Sequence, residues 1–282
     1  TNAIFGSKHQ IILSIITKAL IVPQSIADHY AVHSLPHLTL AILAGWTEFP
    51  LVQTSELIAM KFDIFKIKAI PRLFWSSPKT LTIKPPIVSF AFLILGLIIF
   101  GLGEALLIAA GVGVSPWTVF AQGFSIHTGW SIGVSTAVIS SIVLFLWVFL
   151  KQVPGLGTIF NIIIISIVLD FSLPYLPNFE TFPLNILMAA SGVFITGFGG
   201  AIYLIANLGP GPRDGLMTGL QRITGYPIAI VRGSIEVTVV VLGALLGGVA
   251  GIGTLFFAFG IGPSLALSIL VLTKLFSPKV NE

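Results

Sequence analysis

The 282-residue chain contains no cysteine. Disulfides, thiolate zinc sites and thiol nucleophiles are therefore excluded, and redox compartment cannot be read from the sequence. Charge is also scarce: Asp, Glu, Lys and Arg make up 9% of residues, against about 25% in a soluble globular domain. The G-x-S-x-G elbow, the H-E-x-x-H helix and the G-x-x-x-x-G-K-[ST] phosphate loop are all missing. The expectation is a protein that is no enzyme and carries no cofactor. The first 85 residues also lack a long apolar run, since the best one, 11–22, is broken by Lys18 and is too short to cross a bilayer.

Apolar residues are abundant, at 55% of the chain with a mean hydropathy of +1.04. Five or six runs of spanning length follow residue 85. In lipid every backbone N–H and C=O must be paired within its own segment, so such runs read as helices. The expected fold class is an all-α polytopic membrane protein with about six transmembrane helices, whose first partner is the lipid bilayer.

The net charge of +4 is concentrated in one place. Residues 1–60 sum to −1, residues 85–282 to zero, and residues 61–84 to +5 (Lys61, Lys66, Lys68, Arg72, Lys79 and Lys84 against Asp63). A basic segment just before the first long apolar run reads as a cytoplasmic anchor, and no nucleic-acid partner is expected. The segment before it is of another character. Residues 1–59 hold four of the five histidines, and Met60 opens a stretch, "MKFDIFKIKAIPRLFWSSPK", like the basic start of a bacterial membrane protein. The expectation is a poorly ordered extension or a non-native upstream segment over 1–59, then a basic juxtamembrane segment over 60–86. His29, His33 and His37 are spaced like metal ligands, but Pro36 interrupts any helix that would align them, so no metal site is expected.

The chain repeats itself at an offset of 96 residues. "GVGVSPWTVFAQGFSIHTG" (111–129) aligns with "NLGPGPRDGLMTGLQRITG" (207–225), pairing Gly113 with Gly209 and Pro116 with Pro212. Over residues 92–158 there are 20 identities in 67 positions, and eight of the ten glycines of the first copy recur. Chance likeness between apolar segments would match leucines and valines. Recurrent glycine instead marks close backbone approach or unusual dihedrals, so the two copies are expected to share a backbone path.

Each copy reads as a long helix (87–110, 184–206), a Gly/Pro break, a short segment ending in Thr-Gly, and two further helices (131–150 and 156–173; 228–246 and 252–273). The membrane repeats then cover 87–173 and 184–273, joined by an outer linker at 174–183 and followed by a cytoplasmic tail at 274–282. Three spans per copy is an odd number, which gives inverted-topology repeats of the kind found in many transporters. With both termini cytoplasmic, the loops expected outside carry no Lys or Arg, and those expected inside hold Lys151, Arg213, Arg222, Lys274 and Lys279.

Ionisable side chains within spans are costly, by about 2.5–3.5 kcal/mol each on insertion scales, and are candidates for function. Glu104, Asp170, Arg232 and Glu236 qualify, with Asn161 as a polar neighbour. Arg232 and Glu236 are four apart and share a helix face. Asp170 also reads as a residue reaching the outer interface. Glu104, Arg232, Glu236, Asn161 and Asp170 form the expected solute- or ion-binding set, with Arg213 and Asp214 as a gate at the cytoplasmic mouth. Gly113 and Pro116 in one copy, and Gly209, Pro210, Gly211 and Pro212 in the other, are the expected helix breaks. Two accounts stay open at this point. One is a secondary-transporter-like protein for a small solute, and the other an accessory or regulatory protein that binds a cytoplasmic enzyme without transport. Substrate, coupling ion and homo-oligomerisation are not set by the sequence.

The stretches "LGPGPRDGLMTGL", "RITGYPIAIVRGSIEV" and "GIGTLFFAFGIGP", with "GLGEALLIAAGVGVSPWTV" in the first copy, resemble the bacterial YczE-like membrane proteins, in the broader YczE/YyaS/YitT grouping. The resemblance covers about residues 85–275. It implies a multipass protein of the bacterial cytoplasmic membrane and no settled biochemical activity.

Overall fold

The recurrent Gly/Pro signals predict where helices start and stop, and the computed structural model follows them closely. It describes residues 70–177 and 179–277. The expectations for residues 1–59, the histidine triplet, the start of the basic segment and the last residues of the tail lie outside this range. Among the described residues there are eight α-helices: α1 Ile87–Ala109, α2 Pro116–Thr128, α3 Ile132–Leu146, α4 Leu156–Ser172, α5 Phe182–Ile205, α6 Pro212–Thr224, α7 Ile228–Leu245 and α8 Ile252–Phe276. A single 3-10 turn, Leu173–Tyr175, follows α4.

α2, α3 and α4 begin 96 residues before α6, α7 and α8 respectively. The short helices α2 and α6 share their termini as well. Each has proline at its first position, where a missing N–H costs nothing, and each ends on a left-handed glycine, Gly129 or Gly225, both at φ 72°. Helices α1, α5, α7 and α8, together with α4 extended through its 3-10 turn, are long and apolar enough to cross a membrane. α2 and α3 meet at 113°, as a broken span or re-entrant loop. α3 is shorter than the expected 131–150. It ends at Leu146, and Trp147, its C-cap, donates through Nε1 to the carbonyl of Pro212 at 2.9 Å.

The two copies grip each other reciprocally. α1 and α5 run antiparallel and touch through glycines: a Cβ on Gly103 would lie 2.7 Å from the Gly192 carbonyl, and one on Gly199 would lie 2.6 Å from the Gly96 carbonyl. Small residues let the two backbones close up in this way. At the breaks, Gly253 N–H donates to the Val112 carbonyl at 2.8 Å, and Gly157 N–H donates to the Leu208 carbonyl at 2.7 Å. The second contact is the first moved by 96 residues with the copies exchanged. Gly113 and Gly209 turn each break with φ near 114° and 111°, a region only glycine enters freely. Each is pressed against the opposite copy's G-x-G-T glycine, Gly251 or Gly155.

The segment ahead of α1 is packed in from residue 73. Trp75 is fully buried, stacked 4.6 Å from Phe92 and edge-on to Phe276. Ser77 and Asn207 tie it to the end of α5: Ser77 N–H donates to the Ala206 carbonyl, and Asn207 donates to the Ser77 carbonyl. The carboxyl-terminal part of the expected anchor segment is thus part of the folded body.

Candidate functional site

Both Gly/Pro breaks end on a short helix, and the first turns of α2 and α6 meet at a central cavity of about 200 Å³. Most of its wall is built in pairs 96 residues apart. Glu104 and Gly200, Trp117 and Arg213, and Thr118 and Asp214 all line it. So do Thr136 and Arg232, Ser140 and Glu236, and Asn161 and Phe257.

Glu104 is 2% exposed, on the inner face of α1. Its Oε2 accepts from the hydroxyls of Ser115 and Thr118, both at 2.8 Å. Ser115 is the N-cap of α2, but its hydroxyl serves Glu104 and does not cap the helix. The carboxylate therefore sits against an N-terminal turn, where the helix dipole favours negative charge. Its other oxygen, Oε1, is buried and has no hydrogen-bond partner.

Arg213 and Asp214 occupy the matching turn of α6. The Arg213 guanidinium lies over the indole of Trp117, its own counterpart in the first copy, at 5.3 Å. Asp214 accepts from the Tyr203 hydroxyl at 3.2 Å. On α7, Arg232 Nε and Glu236 Oε1 form the expected i,i+4 ion pair at 2.8 Å, with side chains 45% and 19% exposed.

Five of the residues singled out from the sequence thus come together with the two breaks: Glu104, Arg213, Asp214, Arg232 and Glu236, with Asn161 beside them. Arg213 and Asp214 face the same cavity as the others. Asp170 stands apart from this wall. Its carboxylate accepts from the Ser131 hydroxyl and from the Gly133 N–H at 2.8 Å, and so ties the first turn of α3 to the end of α4. Of the breaks, Pro116 and Gly211 line the cavity, and the Pro210 carbonyl accepts from Thr158 Oγ1 at 2.7 Å. Thr158 also accepts from Gly155 N–H, so it caps α4 while holding the other copy.

Sequence reasoning passed over Ser115, Trp117, Thr118 and Tyr203. For Thr118 and Trp117 the 96-residue register supplied a signal, since they are the counterparts of Asp214 and Arg213. Tyr203 carries none, because an aromatic in an apolar helix reads as packing.

The chain matches the family described as "Family of unknown function (DUF6198)" over residues 87–269. A protein of Haemophilus influenzae is 38% identical over 210 residues, 74% of this chain and 95% of the relative. The "Uncharacterized membrane protein YczE" of Bacillus subtilis is 31% identical over 185 residues, covering 65% of this chain and 86% of that protein. YyaS of the same organism is 30% identical over 167 residues, 57% of this chain and 82% of the relative. No solved structure matches the chain. The matched region contains both breaks and the charged residues around the cavity, and the apolar helices accord with the membrane protein named among the relatives. The protein is a multipass membrane protein of the DUF6198 family, similar to YczE.

Proposed function

We propose that the protein is a secondary-transporter-like carrier for a small solute, working by alternating access of two inverted-topology halves around the central cavity. The observation that carries this reading is the paired wall: most of the residues facing the cavity come from equivalent positions of both copies. A site on the symmetry element of two halves is reached from either side when one half rocks against the other. The antiparallel α1 and α5, with their reciprocal glycine contacts, support the inverted relation. The expected orientation has both termini at the cytoplasmic face of the inner membrane, with positive residues in the inner loops. In this scheme Glu104 and the Arg232–Glu236 pair couple the solute or an ion, and Arg213 over Trp117 gates one mouth.

The alternative, an accessory protein that docks an enzyme through Arg213, Asp214 and Arg222, draws less support. The Arg213 guanidinium is turned onto Trp117, and Arg222 donates to the Leu150 carbonyl at 2.6 Å. Flux in proteoliposomes tests the carrier reading. Glu104→Gln and Glu236→Gln are each expected to lower solute or proton flux at least about tenfold while the protein still folds, because a lost charge-assisted bond is worth roughly that factor. Flux unchanged in both variants removes these residues from the mechanism.

A further inference from the structure

We propose that the cavity binds a small organic cation, a protonated amine, with Glu104 Oε1 receiving the ammonium group. This assignment rests on the cavity being the solute site and names the chemistry it selects.

Two independent observations lead to it. The first is Glu104, a residue of the cavity wall that is 2% exposed and whose buried Oε1 is an acceptor with no donor. A buried acceptor left without a donor is costly, and a donor arriving with the ligand removes that cost. Oε2 is already taken by Ser115 and Thr118, so the free oxygen is the one a ligand meets. The second is the charge of the wall. Three carboxylates, Glu104, Asp214 and Glu236, stand against two guanidiniums, Arg213 and Arg232, leaving one negative charge among the described residues. Arg232 is already paired with Glu236. Arg213 stacks on Trp117 and forms no ion pair among the described residues, and the carboxylates of Glu104 and Asp214 on the same wall outnumber it. Two other wall residues hold orphaned atoms: Thr136 Oγ1 can donate or accept, and Trp117 Nε1 only donates, so it suits an acceptor elsewhere on the same ligand.

The rest of the wall favours an organic cation over a bare metal ion. Phe100, Tyr203 and Phe257 offer aromatic surface, and Ile261 and Leu265 offer aliphatic surface. Ring faces attract ammonium groups, and apolar walls suit a carbon skeleton. A hard metal ion would need about six or more oxygen ligands. No group of three or more His, Asp or Glu suited to a metal occurs among the described residues.

The test uses the full chain purified in detergent in a potassium buffer, with two probes of matched size, 2-phenylethylammonium and 3-phenylpropionate. The ammonium is expected to raise the melting temperature saturably, and the carboxylate to leave it unchanged. Glu104→Gln is expected to weaken ammonium binding about tenfold or more. The wild-type comparison of the two probes carries the test without any variant. The assignment is overturned if the carboxylate binds as tightly as the ammonium, if the ammonium gives no shift up to about 10 mM, or if a folded Glu104→Gln protein binds it unchanged. Ammonium binding without flux in proteoliposomes removes the carrier reading and leaves the ligand class standing. Flux of 3-phenylpropionate with no ammonium binding removes the ligand class and leaves the carrier.

Discussion

Gly103 and Gly200 lie on paired helices, but a side chain at each would meet different things. At Gly103 a Cβ would lie 2.7 Å from the backbone carbonyl of Gly192, and backbone cannot move aside. At Gly200 the nearest atom is the end of the Leu265 side chain, at 3.3 Å. Gly103→Val is therefore expected to push α1 from α5 and cost about 1–3 kcal/mol, whereas Gly200→Ala costs little. Melting of the two variants in detergent checks this, and equal losses would contradict it. The same scale explains why only one of the two breaks carries an arginine. Trp117 and Arg213 are counterparts in the repeat and stack on each other, so arginine at both positions would set two like charges face to face. The alignment showed the asymmetry, but the reason for it lies in which positions meet their own counterparts.

At the scale of helices, the copies differ in how their third elements are held. α3 packs along α4, and Asp170 clasps its first turn; α7 and α8 are not packed together in this way. The counterpart of Asp170 is Ala266, and α7, with Pro227 as its N-cap, has no side-chain cap. α7 carries Arg232 and Glu236 and buries only Val231, Val239 and Gly243. It is the helix expected to move. Hydrogen exchange in detergent is predicted to be faster along α7 than along α3. Asp170→Ala, which makes the first copy like the second, is predicted to speed exchange at the start of α3 about tenfold, the worth of a lost cap. Slower exchange in α7 than in α3 would contradict this. The sequence marked Asp170 as a costly charge in an apolar span. It could not reveal the partner, because Ser131 and Gly133 are about forty residues away and meet it only once α3 folds back on α4.

For the whole molecule, hydropathy and the recurrent glycines made most of the architecture legible: the helix starts at 87, 156, 228 and 252 were read to the residue. The expected helix 131–150 was too long: from Trp147 the backbone tightens to i→i−3 turns, a change that apolar pattern does not signal. The site was legible where charge stood out against apolar surroundings, at Glu104, Arg232 and Glu236. The neutral hydroxyls that hold Glu104 were not, since Ser and Thr are common in helices for local reasons. The absence of cysteine allows a direct test of the central claim, because a single introduced thiol is the only one present. Asn161 lines the cavity and makes no hydrogen bond that Asn161→Cys would break among the described residues. The measurement is labelling of Asn161→Cys by a membrane-impermeant maleimide, applied to one side of sealed vesicles and then to the other. Alternating access predicts reaction from both sides, slowed from each by 2-phenylethylammonium. Reaction from one side alone, or from neither, would contradict it.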